Sequence, residues 1–183
     1  MTRGQGARAS ALRRGARASA GVVYNDGVQR HQPTSRSCFV CGRDNPAGLL
    51  TRWVTDPAAG EVRTTLAIAE RFNGYPGITH GGILTALLDE AAVRTALLDG
   101  GFEDLLVTAR IEVAFRRPTP TETPVTVAAR VTRRTRGRAQ AVAEIRLADG
   151  TVSATAEVLL TRPPPEVAAA WAEERPFWRV EDP

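Results

Sequence analysis

The chain has 183 residues, 43% of them apolar, which is enough for one domain with a sizeable core plus tails. Its net charge of +4 comes from arginine alone. Seven arginines against one acid crowd residues 1–37, whereas seventeen against nineteen leave the remainder slightly acidic, so the basic balance says nothing of the body. There is no run of the roughly 20 apolar residues that a membrane span needs, and residues 1–20 lack the apolar stretch of a secretory signal.

In chain order, residues 1–37 read as a disordered tail of Arg, Ala, Gly and Ser, too poor in bulky side chains to build a core. No aromatic residue interleaves its arginines before Tyr24, and no recognition helix or RNA-binding signature appears, so nucleic acid is not an expected partner. Residues 38–48 form a turn-rich opening to the domain, with Gly42, Asn45-Pro46 and Gly48. Cys38 and Cys41 make a lone Cys-x-x-Cys. A structural zinc site takes four ligands and the chain holds only two histidines, His31 and His80. The expectation is therefore two small side chains buried in a turn, with no metal and no cofactor, in a reducing cytoplasm.

Two strands are predicted near 49–55 and 61–69, joined by Asp56-Pro57-Ala58-Ala59-Gly60. Residues 71–79 read as a loop. A helix follows from Gly81 to Leu98, stopped by Asp99-Gly100-Gly101. Ile83, Leu84, Leu87, Leu88, Ala91, Leu97 and Leu98 form its apolar stripe, and Glu90 with Arg94 reads as a surface ion pair. The alternation Val107, Ala109, Ile111, Val113, Phe115 predicts a half-buried strand closed by Pro118. Strands near 124–135, 138–148 and 151–161 turn at Arg136-Gly137 and Asp149-Gly150. The arginines from Arg130 to Arg138 read as a solvated hairpin. Pro163-Pro164-Pro165 ends the sheet, and a short helix with Trp171 packs back. The order is β-β-α-β-β-β-β: an α+β fold in which one curved antiparallel sheet wraps one long helix. The domain spans 38–162, with 163–183 a proline-rich segment and short helix.

Asp89 stands apart on that helix. It lies off the apolar stripe among Thr85, Ala86, Ala92, Val93 and Ala96, all small or β-branched and uncharged. Such a face invites close approach by a ligand or a second subunit, and a carboxylate there can act as base or nucleophile. At the helix N-terminus, which Thr79 is placed to cap, Gly81-Gly82 leaves backbone N–H groups accessible to a ligand oxygen. Eight residues, about 12 Å of helix, separate Gly81 from Asp89. One reacting carbon cannot touch both within one chain, so the spacing predicts a dimer with shared sites.

Phe72 through Gly82, with Asn73-Gly74-Tyr75-Pro76-Gly77-Ile78-Thr79-His80 between, followed by Leu87-Leu88-Asp89-Glu90, resembles the hotdog-fold acyl-CoA thioesterases related to phenylacetyl-CoA thioesterase. Cys38-Phe39-Val40-Cys41-Gly42 with Asn45-Pro46 and Gly48-Leu49 is similar to the preface of some members. So is Thr108-Ala109 followed by Phe115-Arg116-Arg117-Pro118. The resemblance covers about 38–161. It implies an acyl-CoA substrate, hydrolysed to free acid and CoA, and sites at subunit interfaces of a homodimer or a dimer of dimers. By position it implies that the Gly81 N–H polarises the thioester carbonyl, that Asp89 is nucleophile or general base, that His80 shapes the site, and that Thr108 orients the water. Gly82, Asn73, Arg116 and Arg117 are the expected substrate contacts, the two arginines facing CoA phosphates. Many members carry asparagine where this chain has Gly74; Asn73 lies one residue earlier. The alternative within the resemblance is an acyl-CoA-binding protein without turnover.

Overall fold

The computed structural model describes residues 28–97 and 101–181. The arginine-rich stretch 1–27, and Leu98, Asp99 and Gly100 at the expected helix stop, lie outside the described residues.

The strands are β1 (Arg30–His31), β2 (Val54–Asp56), β3 (Glu61–Ala67), β4 (Asn73–Tyr75), β5 (Ile78–Thr79), β6 (Val107–Phe115), β7 (Pro124–Thr135), β8 (Arg138–Arg146) and β9 (Val152–Thr161). The helices are α1 (Gly81–Arg94), which lies between β5 and β6, and α2 (Pro165–Ala170). Seven strands form one antiparallel sheet in the order β1-β2-β3-β7-β8-β9-β6, and β4 with β5 forms a separate hairpin. The hairpins 56–60, 136–137 and 149–150 fall where their turn residues predict; Gly60, Gly137 and Gly150 all take positive φ there.

The sheet curls around α1 because its inner face is cut small. On β8 the alternating Ala139, Ala141 and Ala143 are buried, followed by Ile145. That gives Leu84, Leu87, Leu88 and Ala91 of α1 room to seat against Val125, Val127, Ala156, Val158 and Leu160. Each fully buried leucine contributes roughly 1.5–3 kcal/mol. Among the described residues no helix is long and apolar enough to cross a membrane.

The structure overturns several expectations from the sequence. Residues 30–37 do not belong to a tail. β1 pairs with β2, Gln32 and Thr34 are buried, and Thr34 bridges to Arg179 near the other end of the chain. The first expected strand, 49–55, is cut to Val54–Asp56, because the Leu49 and Thr51 amides donate to the Phe39 and Val40 carbonyls of the opening turn instead of to a sheet neighbour. The loop 71–79 is itself a hairpin, with Gly77 at φ 76° after Pro76.

The helix ends at Arg94 and tightens into a 3-10 turn, Thr95–Leu97. Thr95 returns both its amide and its hydroxyl to the Ala92 carbonyl, while the Gln32 side chain takes the Arg94 carbonyl at 3.2 Å. Arg134, expected in a solvated hairpin, donates to the Ala96 carbonyl at that same negative end. Finally, Glu90 and Arg94 form no surface pair: Arg94 is 1% exposed and holds the Gln32 side chain and the Pro33 carbonyl as well. The C-terminal segment meets the body through Trp178 and not through the expected helix with Trp171, since α2 is exposed; the Trp178 ring meets Phe102 edge-on and lies 5.9 Å from the Arg94 guanidinium.

Candidate active site

The β4–β5 hairpin delivers the chain to α1 in a fixed pose. The His80 amide donates to the Phe72 carbonyl and the Thr79 amide to the Thr119 carbonyl, both at 2.9 Å. The N-cap is therefore His80, with extended backbone, and not Thr79; the His80 Nδ1 accepts from the Gly82 N–H at 2.9 Å. That tautomer carries its proton on Nε2. The cap takes up the Gly82 donor and leaves the Gly81 N–H with no acceptor among the described residues. Gly82 is exposed, and the Phe115 ring lies against Gly81.

Two turns and more up the helix, Asp89 is half-buried and its Oδ1 accepts from the Thr108 hydroxyl at 2.6 Å. A bulge in β6 brings Thr108 there. The register against β9 slips between Thr108 and Arg110, so the expected alternation fails: Thr108 turns toward α1 while Ala109 is exposed. Phe115, predicted inward, is 55% exposed. The small-residue face is also narrower than its sequence suggests. Ala92 and Ala96 are buried within the chain, which leaves Thr85, Ala86 and Val93 partly open beside Asp89.

Asn73 carries its Oδ1 buried and, among the described residues, without a hydrogen-bond partner. Gly74 faces the His80 backbone so closely that an added Cβ would lie 3.1 Å from its Cα. Arg116 and Arg117 are exposed, and both donate their amides to the Ser153 carbonyl. Arg116 lines a groove of about 330 Å³ with Arg130, Arg146, Glu112 and Glu144 on the sheet face turned away from α1. The structure thus brings Asp89 and Thr108 into contact and His80 onto Gly82, and sets Arg116 apart from both pairs.

A second cluster escaped the sequence reading. Glu90, the residue after Asp89, points about 100° further around α1, where it meets Cys38 and Cys41 of the opening turn. Burial pushes the Glu90 carboxyl up to about 7 against the pull of Arg94. The Cys41 thiol, as hydrogen-bond donor to Cys38, holds Cys38 down at about 7 and is itself pushed up to about 12. The Cys-x-x-Cys-Gly pattern was the available signal; its partner 52 residues away was not.

Residues 76–154 match the family model described as Thioesterase superfamily. A thioesterase superfamily protein of known crystal structure is 28% identical with a TM-score of 0.61, over 69% of this chain and 60% of its own, so the chain spans three fifths of that relative's length. A phenylacetic acid degradation-related protein from Ralstonia eutropha JMP134 is 28% identical over 58% of this chain and 80% of its own, with a TM-score of 0.50. A Streptococcus mutans UA159 protein bound to acetyl CoA, 18% identical over 57% of this chain and 85% of its own at a TM-score of 0.50, shares the fold. No curated protein sequence matches the chain. The matched segment contains His80, Gly81, Asp89 and Thr108: the chain has the hotdog fold of these structures, and over residues 76–154 it is similar to the thioesterase superfamily.

Proposed function

We propose that the protein hydrolyses acyl-CoA thioesters to the free acid and CoA, with Asp89 and Thr108 as the water-handling pair. The observation that carries this reading is the 2.6 Å hydrogen bond from Thr108 to Asp89 Oδ1. By donating its proton to the carboxylate, the hydroxyl keeps its lone pairs free to accept from a water. Asp89 Oδ2, without a donor among the described residues, is open to the same water. The Gly81 N–H, at the positive end of α1, suits the developing oxyanion. Water attacks the carbonyl carbon, the C–S bond breaks, and the proton held by Asp89 passes to the CoA thiolate. Direct attack by Asp89, with hydrolysis of the resulting anhydride, uses the same groups. The acetyl CoA held by the Streptococcus mutans relative supports a CoA substrate, as do the exposed arginines Arg116 and Arg117 at the strand end. Two free thiols suit a cytoplasmic location.

The two halves of this site sit about 12 Å apart on one helix, so the reading requires a second copy. Support comes from β6, which is an edge strand of the sheet. Its start carries Thr108 beside Asp89, and its end carries Phe115 beside Gly81. Two-fold antiparallel pairing of β6 with its copy sets the start of one strand beside the end of the other, and hence Asp89 of one copy near Gly81 of its mate.

The test is turnover and complementation. Hydrolysis of a panel of acyl-CoAs, followed by release of free CoA thiol, is expected from the wild type. Gly81→Pro removes the N–H at a helix position that tolerates proline, and Asp89→Asn removes the base. Each alone should be inactive, and mixed under subunit exchange they should regain activity. Acyl-CoA binding without turnover by the wild type sinks the enzyme reading. Proven exchange without recovery sinks the shared site.

A further inference from the structure

We propose that Cys38, Cys41 and Glu90 form a binding site for a thiophilic divalent cation of the zinc class, which ties the opening turn to α1 one residue from Asp89. Their ligand atoms, two Sγ and a carboxylate oxygen, lie within 4.8 Å of one another. Glu90 Oε2 is 3.8 Å from Cys38 Sγ. Tetrahedral zinc, with Zn–S of about 2.3 Å and Zn–O of about 2.0–2.2 Å, places neighbouring sulfur and oxygen ligands roughly 3.5 Å apart. The three groups therefore stand near the edges of one such tetrahedron with little to move. Ser35 Oγ, 3.8 Å from Cys41 Sγ, borders the remaining corner, which it or a water can fill.

The surroundings are arranged for sulfur that carries charge. The amides of Val40 and Cys41 both point at Cys38 Sγ, at 3.3 and 3.5 Å, as donors to a thiolate do. Gly42 closes this turn with its amide on the Cys38 carbonyl, and no other residue fits: an added Cβ would stand 2.4 Å from the Cys38 backbone. Arg94 binds the other carboxylate oxygen, Oε1, at 2.8 Å, and so fixes Glu90 with Oε2 toward the sulfurs. Its Nη2 is buried without a partner among the described residues. Two thiolates and a carboxylate carry three negative charges; a divalent cation and the buried guanidinium balance them. A neutral assembly is what a buried site tolerates. Cys38 is only half-buried, which leaves a route for the ion. Two buried thiols that merely fill space would need neither the aimed carboxylate nor the amides on sulfur.

The experiment uses the full chain, purified under reducing conditions, stripped with chelator and titrated with Co²⁺ and Zn²⁺. Close to one cobalt per chain is expected, with a sulfur-to-cobalt charge-transfer band, and zinc should displace it and raise the melting temperature in a concentration-dependent way. Cys38→Ser and Cys41→Ser should each lose the band, and Glu90→Gln should weaken binding by about tenfold or more. Circular dichroism of each variant separates loss of ligand from loss of fold. A folded, reduced wild type that takes up no cobalt overturns the site. So does a band that survives undiminished in the Cys38 and Cys41 variants, an unchanged cobalt affinity in Glu90→Gln, or recovery of Cys38 and Cys41 as a disulfide in protein that binds no metal. These readouts do not depend on thioester hydrolysis, so the two readings fail separately.

Discussion

Asp89 and Glu90 are neighbours in sequence and opposites in setting. Asp89 looks toward the edge strand, half-open, with one hydroxyl donor and a free oxygen. Glu90 looks into the opening turn, with a buried arginine on one oxygen and two cysteines at the other. A turn of 100° about the helix axis separates a carboxylate left available from one fully engaged. The contrast teaches that carboxylate chemistry is set by the facing element: β6 on one side, residues 32–41 on the other.

The sharpest break of that contrast is to neutralise each acid in turn. Asp89→Asn should lower kcat by about 100-fold or more, the usual loss when a general base is removed, with an unchanged melting curve. Glu90→Gln should do the reverse, with turnover per folded molecule close to wild type and a clear loss of stability. Equal loss of activity in both variants would erase the functional distinction between the two sides.

Arg94 tests the closed side alone. It is enclosed by Glu90, Gln32, the Pro33 carbonyl and the rings of Trp53 and Trp178. Arg94→Met strands a buried carboxylate, which costs about 3–5 kcal/mol when one partner of a buried pair is removed. Urea unfolding should show the drop, and pairing it with Glu90→Gln should recover part of it. A change within ~0.5 kcal/mol would mean that the pair is solvated.

These two sides were unequally legible in the sequence. The open side declared itself, because small uncharged residues around Asp89 and glycines before it are local features of one helix. Even so, the bulge that turns Thr108 inward was invisible, since strict alternation predicts Ala109 there. The strands β7, β8 and β9 were readable from period and turn chemistry. On the closed side the turn and the buried Cys41 were readable, but the partners of Arg94 and Glu90 were not, because those contacts span the chain. Gln32 reaches Arg94 across 62 residues, Thr34 pairs with Arg179, and Cys38 meets Glu90 across 52. An i, i+4 Glu-Arg pair looks the same on paper whether solvent or a folded segment covers it.

The finest test concerns the open side's second half, and asks whether Gly81 matters for its N–H or for its lack of a side chain. Gly81→Ala keeps the N–H and adds only a methyl. Built on the backbone, that Cβ stands 3.2 Å from Phe115 Cζ, tight but against the far end of an exposed ring that can swing away. Alanine is also the better helix former by about 1 kcal/mol. The two effects offset, so the melting temperature should barely move and kcat should fall only a few-fold, in contrast with the dead Gly81→Pro. Trimming the ring with Phe115→Leu should return most of that small loss. If Gly81→Ala is instead as inactive as Gly81→Pro, and Phe115→Leu does not help, the glycine is there to let a ligand approach the backbone. The Gly81 N–H would then not be shown to polarise anything.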